Sequence, residues 1–487
     1  MNVEFEFSEE NILRLFGNEA AENEPLARLR EYYIKNNVYN QVVCDIPLRI
    51  LVGHKGIGKS ALLKFAIHED EENGLLPILI KPDDILGLAS TDKSMLELIR
   101  DWKVGLVDLV GRKCLENFGV QHAQSTESLQ SAVGKTVNFI ADTLRKVRSE
   151  LDLSPAKERL IDLFLKRRRI TVFLDDLDRG WESKQLDIKR ISALLNAVRD
   201  LSSDNPGLQF RIALRSDVYF LVRTSDESTD KIESSVIWYS WTNHEILILL
   251  IKRIETFFGR RVDETELLVK KQPFIAGYLK SVFEPRFTGR GHWANAPMHR
   301  VLMSLIRKRP RDLVKLCTAA ARVAHSKRHS IIKTTDLEDV FQEYSQGRIQ
   351  DAINEYKSEL PDIARLVMGM KPNKKERIAR SSYCFSTDEL LKKIDNIQQS
   401  GKFRFANRVE AGRKELAQFL YKINFLTARK ELPDGLIERK YFEESRYLST
   451  SFADFGYKWE IHPAYRWALQ PDSFDDLFRT IELSSDD

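Results

Sequence analysis

The residues Gly53-His54-Lys55-Gly56-Ile57-Gly58-Lys59-Ser60 match the pattern GxxxxGK[ST], and the apolar run Ile46 to Val52 leads into them. That combination suits the grip of a polyphosphate. Glycines supply room and backbone dihedrals closed to other residues. Successive N–H groups, helped by the positive end of a helix starting near Lys59, can then surround anionic oxygens. Lys59 would reach the β and γ oxygens of ATP. The Ser60 hydroxyl would help coordinate Mg²⁺, a hard cation that prefers oxygen ligands. The nucleotide-contacting set is therefore Gly53, His54, Lys55, Gly56, Ile57, Gly58, Lys59, Ser60 and Ala61. Lys55 is a further cation with no assigned role. A glycine-rich turn ahead of a helix is the bland alternative, and the flanking strand and helix signals weigh against it.

A loop of this kind needs a second acidic strand end to hold the metal. Ile170 to Leu174, followed by Asp175, Asp176 and Asp178, supplies a Walker B segment. Five apolar or β-favouring residues bury the strand between neighbours, and the carboxylates emerge at its C-terminal end, where open α/β sheets bind ligands. Asp175 is expected to orient Mg²⁺ through water, so Ser60 and Asp175 form the metal set. Asp176 is the candidate for polarising the attacking water. As an aspartate where many hydrolysing relatives have glutamate, it leaves room for slow turnover. An exposed acidic turn is the alternative for this cluster, and Asp178 divides between a catalytic and a capping role.

With 487 residues, 43% hydrophobic and 30% charged, the chain can form two or three cores and does not read as disordered. No apolar stretch approaches the ~20 residues of a membrane span, and the acidic start MNVEFEFSEE lacks a basic region and an apolar core. The expectation is a cytoplasmic protein with no membrane partner. Cys44, Cys114, Cys317 and Cys384 are scattered and read as reduced structural thiols. His325 and His329 could share a helix face, and a solvated helix end is the better reading of them. The net charge of +4 does not make the chain a polycation. Basic clusters at 166–169, 307–311, 371–377 and 413–422 each read as a solvated face or as a place to test against DNA.

Strands are expected at 46–52, 77–80, 170–174, 208–214 and 235–239, separated by helical patterns, which implies a parallel sheet. A helical lead-in occupies 1–45, the core 46–244 with a helical insertion at about 85–165, and a helical lid 245–358. In the lid, Leu313, Leu316, Cys317, Ala320 and Ala324 form an apolar stripe, and a new helix starts at Thr334-Thr335-Asp336-Leu337. Residues 359–487 carry a helix pattern at Leu416, Phe419, Leu420 and Ile423, followed by segments suited to a hairpin and a closing helix. This fits a winged-helix-like domain. Its aromatics Tyr457, Trp459, Tyr465 and Trp467 read as core. The fold class is α/β, a P-loop NTPase core with a parallel sheet, a helical lid and a winged-helix-like C-terminal domain. Pro433, Asp434, Glu438 and Lys440 echo a metal-dependent nuclease, but the spacing is too short for carboxylates on successive strands.

With the segments FGNEAAENEPLARLREYY, the P-loop, DDLDR and RPRDL in this order, the chain resembles AAA+ and STAND-type ATPases, especially the origin-recognition branch. It looks most similar to bacterial P-loop ATPases found near defence and mobile-element genes. The resemblance implies that Arg215 reads the γ-phosphate from the end of the fourth strand, although the Arg215-Ser216 pair departs from the usual polar sensor. It implies that Arg311, or Arg309, contacts phosphate from the lid, and that Lys231 or Arg223 lies where relatives present a finger to a neighbouring subunit. A homo-oligomer, an effector protein and DNA are the partners it suggests, with Lys414, Lys422, Arg429 and Lys430 as candidate DNA-phosphate contacts. The leading expectation is a Mg²⁺-ATP-dependent switch in bacterial antiviral defence, a sensor or scaffold that controls an effector. The alternative is a DNA-binding initiator, loader or remodelling ATPase.

Overall fold

In the computed structural model, the described residues are all but 1–4, 21–22, 89–92, 118–136, 139, 143, 146–161, 163, 226, 374–375, 377–382, 407, 433–436, 449–454, 470–476, 479–482 and 484–487. Two compact units emerge. One comprises Lys35–His54 and Lys59–Tyr239, and the other Met1–Ile34, Lys55–Gly58 and Ser240–Asp487. Much of the expected helical insertion lies outside the described residues, apart from the helix Met95–Asn117 and short helical pieces.

The sheet-bearing unit holds five parallel strands: β1 (Leu48–Gly53), β2 (Leu76–Ile80), β3 (Ile170–Leu174), β4 (Leu208–Arg215) and β5 (Val236–Trp238). Their order is β2-β3-β4-β1-β5. All five expected strands are present, each within two residues of its expected ends. Strands covered on both faces must be apolar throughout rather than alternating. ITVFL of β3 is buried at every position, and β1 at five of six. Register then fixes which ends meet. Gly53 pairs with Arg215 and Val52 with Leu214, while Leu174 pairs with Ile212 and Ile80 with Leu174. Because β4 separates β1 from β3, their C-terminal ends stand two strand spacings apart, about 10 Å. The helix Lys59–Glu72 follows the loop directly and buries Leu62, Leu63, Phe65 and Ala66.

The other unit is mainly helical. Ser8 caps the helix Glu9–Phe16 by accepting from the Asn11 N–H, and a reciprocal Thr242–Glu245 capping box starts Asn243–Phe257. The expected apolar stripe lies wholly inside, on the helix Pro310–Ser326, and the helix Thr334–Tyr356 begins at the expected Thr-Thr-Asp-Leu. The region after Glu245, expected to be wholly helical, also contains a short antiparallel ladder pairing Arg286–Phe287 with Ala296–Pro297. Two-residue strands are too short for an alternating pattern to register.

Further along, the helices Thr387–Gln398 and Arg413–Lys422 lie in the chain between the first strand and the other three of an antiparallel sheet in the order Ile437–Lys440, Leu426–Glu431, Lys458–Ile461, Cys384–Phe385. Of the segments expected to form a hairpin, residues 449–454 lie outside the described residues, and Lys458–Ile461 pairs with Leu426–Glu431 and with Cys384–Phe385. Trp459, Tyr465 and Trp467 are core residues. Among the described residues, no helix is long and apolar enough to cross a membrane.

Candidate functional site

The sheet unit places the acidic and hydroxyl groups. β1 ends at Gly53, and Lys59 opens the following helix with its ammonium donating to the carbonyls of Gly53, at 2.8 Å, and His54, at 3.2 Å. Ser60, one residue on, hydrogen-bonds the Asp175 side chain at the end of β3. Asp175 Oδ1 also accepts from the Asp176 N–H at 2.9 Å. Burial raises the Asp175 carboxyl above its ordinary range, outweighing the bonds from Ser60 and the Asp176 N–H and the charge of Lys59. Asp176 is exposed and left-handed, with φ +59°, a conformation aspartate tolerates better than most residues. Its carboxylate therefore leaves the strand line directly after the half-buried Asp175.

β4 brings a second set to the same sheet edge. Arg215 forks onto Asp217 at 3.0 and 2.7 Å and reaches Asp178 at 3.3 Å. Asp178 thus serves as an ion-pair partner, and Arg215 is held between two carboxylates. The next residue, Ser216, has its hydroxyl 3.0 Å from His54 Nδ1, linking the end of β4 to the second residue of the loop. Nothing in the sequence singles out Asp217, and Ser216 stands out there only as part of a pair that departs from the usual polar sensor. Both follow the arginine directly, and only the strand register puts them beside the loop.

The middle of the loop, residues 55–58, groups with the helical unit. Gly56 and Gly58 have φ +81° and +110°, which a side chain would strain. A Cβ on Gly56 would also meet the Cβ and Cδ of Arg311 at 3.1 Å. The carbonyls of this stretch are held one after another. Arg309 Nη1 donates to Lys55 O at 3.3 Å, the Arg311 N–H to Gly56 O at 3.4 Å, and the Trp241 indole N–H to Ile57 O at 2.7 Å. The Lys55 N–H donates to Glu355 Oε1 at 3.2 Å, and Arg309 Nη1 lies 3.4 Å from Glu355 Oε2. The Arg311 side chain donates from Nε to Glu19 O at 2.9 Å. Trp241 and Glu355 carry no motif of their own. Trp241 precedes a capping box, and Glu355 lies in the last turn of a long helix.

These donor sets fit a polyphosphate with a hard cation. The loop offers backbone N–H groups at two left-handed glycines, Lys59 an ammonium, and Ser60 with Asp175 an oxygen pair suited to Mg²⁺. Among the described residues no cluster of three or more His, Cys, Asp or Glu could hold a metal by itself.

Other expectations resolve individually. Arg223 pairs with Glu233, whereas Lys231 is exposed. The basic cluster at 307–311 is not a solvated face. Arg307 is buried and forked onto Asp312, Lys308 pairs with Glu444 at 2.9 Å, and Arg309 is buried. Lys422 is also buried, paired with Glu359, so it does not face outward, while Lys414 and Lys430 are exposed. Arg429 is largely covered, 3.9 Å from Glu460. His329 pairs with Asp336 at 2.9 Å. All four cysteines are free thiols. Pro433 and Asp434 lie outside the described residues.

Residues 277–353 match a family described as the FunZ-associated C-terminal helical domain. Over 95% of its length the chain is 22% identical to the putative transposon gamma-delta 80.3 kDa protein of Escherichia coli strain K12, 69% of which is covered. Among solved structures, Aeropyrum pernix ORC2 in ADPNP and ADP complexes is 12% identical, with a TM-score of 0.38, covering 87% of this chain and 89% of that one. Aeropyrum pernix ORC1 in complex with DNA is 12% identical, with a TM-score of 0.35 and coverage of 95% and 96%. Drosophila ORC bound to DNA is 10% identical, with a TM-score of 0.35 and coverage of 98% and 92%.

Proposed function

We propose that this chain is a Mg²⁺-dependent, ATP-binding and hydrolysing switch of the AAA+/STAND type. The observation that carries the reading is the bond between Ser60, directly after the loop lysine, and the half-buried Asp175 at the end of β3. A serine hydroxyl and an aspartate from two different elements meet where a phosphate-bound Mg²⁺ needs oxygen ligands. Bound Mg²⁺-ATP supplies a phosphoanhydride and the metal's charge neutralisation. The protein's part is positioning: Lys59 exchanges its loop carbonyls for phosphate oxygens, the loop N–H groups orient the phosphates, and Ser60 with Asp175 fixes the metal. Asp176, turned outward, accepts the proton of the attacking water. In this reading Arg215, held by Asp178 and Asp217, would respond to charge at the end of β4, and Arg311, beside Gly56, would contact phosphate.

The domain division that goes with this reading is 1–45, 46–244, 245–358 and 359–487. Residues 55–58 of the loop belong to the helical unit and are bonded to its side chains. A ligand shifts such a switch only through unequal affinity for its two states. The biological role we assign is that of a cytoplasmic, homo-oligomeric sensor or scaffold in bacterial anti-phage defence that controls a partner effector. A relative named for a transposon supports a mobile-element setting. The second reading, a DNA-binding initiator, loader or remodeller, is favoured by the exposed cations Lys402, Arg404, Arg408 and Lys414 around the Phe403–Arg404 and Glu410–Ala411 ladder. Calorimetric titration with Mg²⁺-ATP tests the site. Wild type binds and Lys59→Ala does not, and equal binding by both would remove the loop assignment.

A further inference from the structure

We infer that Trp241, Arg309 and Glu355 are positioning residues that preset the loop for a polyphosphate by holding its backbone from behind, and that Arg309 acts on the loop rather than on the phosphate. The inference rests on the phosphate-binding reading above and concerns how affinity for that ligand is set. A loop that surrounds an anion must direct successive N–H groups inward, so its carbonyls must point away and find donors elsewhere. Here the carbonyls of Lys55, Gly56 and Ile57 each have one: the Arg309 guanidinium, the Arg311 N–H and the Trp241 indole. The Trp241 bond is the shortest of the three, and the side chain is 3% exposed.

Glu355 completes the clamp by accepting from the Lys55 N–H, so the residue just before Gly56 is held at both its N–H and its C=O. Arg309 and Glu355 pair with each other at 3.4 Å, and their side chains are 2% and 3% exposed. The other donors of Arg309, Nε and Nη2, are sealed from solvent with no hydrogen-bond partner among the described residues. A guanidinium enclosed in this way meets the loop backbone but presents no open face to a ligand.

The test compares wild type with Trp241→Phe, which keeps the ring but removes the donor, and with Glu355→Leu and Glu355→Gln. Binding of Mg²⁺-ATP and of inorganic pyrophosphate with Mg²⁺ is measured by calorimetry. Loss of one buried hydrogen bond is expected to weaken both ligands about 5- to 10-fold, and by the same factor, because the clamp serves the phosphates alone. Glu355→Gln retains an acceptor and should recover most of the loss seen in Glu355→Leu. Unchanged affinities in Trp241→Phe, or a loss for ATP that pyrophosphate does not share, would overturn the inference. Hydrogen exchange of the peptide spanning residues 54–59 judges the clamp without any nucleotide. Faster exchange is expected in Trp241→Phe with unchanged global stability, and in Glu355→Leu beyond what its loss of global stability accounts for, since that variant leaves Arg309 buried without its counter-charge; unaltered exchange in Trp241→Phe overturns the clamp. If wild type binds no Mg²⁺-ATP, the site reading fails, and the exchange result still decides whether the loop is held as described.

Discussion

Substituting Asp312 by alanine leaves Arg307 and Arg348 buried in the helical unit without their shared counter-charge. Asp312 Oδ2 accepts from Arg307 Nε at 2.7 Å, and Oδ1 accepts from Arg307 Nη2 at 2.9 Å and from Arg348 Nη1 at 2.6 Å. All three side chains are 3% exposed or less. Removing one member of a buried, hydrogen-bonded charge set costs about 3–5 kcal/mol. At about 1.5–2 °C per kcal/mol for a unit of nearly three hundred residues, the melting temperature of this unit should fall by about 5–10 °C. Burial pushes the Asp312 carboxyl up, but the guanidinium groups of Arg307 and Arg348 outweigh it and hold the carboxyl well below the usual range. A depressed carboxylate contributes stability above its unfolded value, about 3.9, and loses it as pH falls through the folded value. The deficit of Asp312→Ala should therefore be constant between about pH 5 and 8 and shrink only in stronger acid. Urea denaturation over that range, with an Arg307/Asp312 double-mutant cycle, measures it. A coupling below about 0.5 kcal/mol, or a deficit that varies across neutral pH, would refute the reasoning.

Two further outcomes follow from the carboxylates after β3. Because burial raises the Asp175 carboxyl, protons should compete with Mg²⁺ at a higher pH than at an ordinary aspartate, so Mg²⁺-dependent nucleotide affinity falls as pH drops towards that raised value. The same shift makes the charged group a cost to the nucleotide-free fold, a cost absent below the unfolded value and complete once pH has risen through the folded one. Asp175→Asn should therefore be more stable than wild type at neutral pH in thermal melts while losing Mg²⁺ dependence in titrations. Asp176→Asn keeps a residue that tolerates the left-handed backbone, so it should bind Mg²⁺-ATP normally and slow single-turnover hydrolysis about 10²-fold or more. Unchanged hydrolysis would move the base to another group.

The parts of the fold visible in the sequence are those with a dense local signal. ITVFL and LQFRIAL are buried almost without interruption, and Pro310–Ser326 carries its apolar residues on one face, so strand and helix periods both register. The loop and the aspartates are visible because spacing along the chain preserves their chemistry. What sequence could not supply is pairing across the fold. Lys422 and the 307–311 cluster look solvent-facing as charges, but Glu359, Asp312 and Glu444 lie far enough along the chain, or across helix turns, that their pairing appears only in three dimensions. Trp241 and Glu355 are invisible as site residues for the same reason, since each meets the loop across more than 180 positions of chain. The ladder at Arg286–Phe287 and Ala296–Pro297 is too short to show alternation.

Steady-state ATP hydrolysis by the purified chain, with and without duplex or single-stranded DNA at fixed low salt and with Lys59→Ala as the blank, tests the central claim most directly. Salt is held constant because phosphate contacts are screened by it. The account predicts Mg²⁺-dependent turnover that vanishes in Lys59→Ala, and a slow rate indifferent to DNA if the chain is a scaffold that controls an effector. DNA stimulation would transfer the assignment to the initiator or loader reading. Turnover in Lys59→Ala equal to wild type would contradict the account at its base.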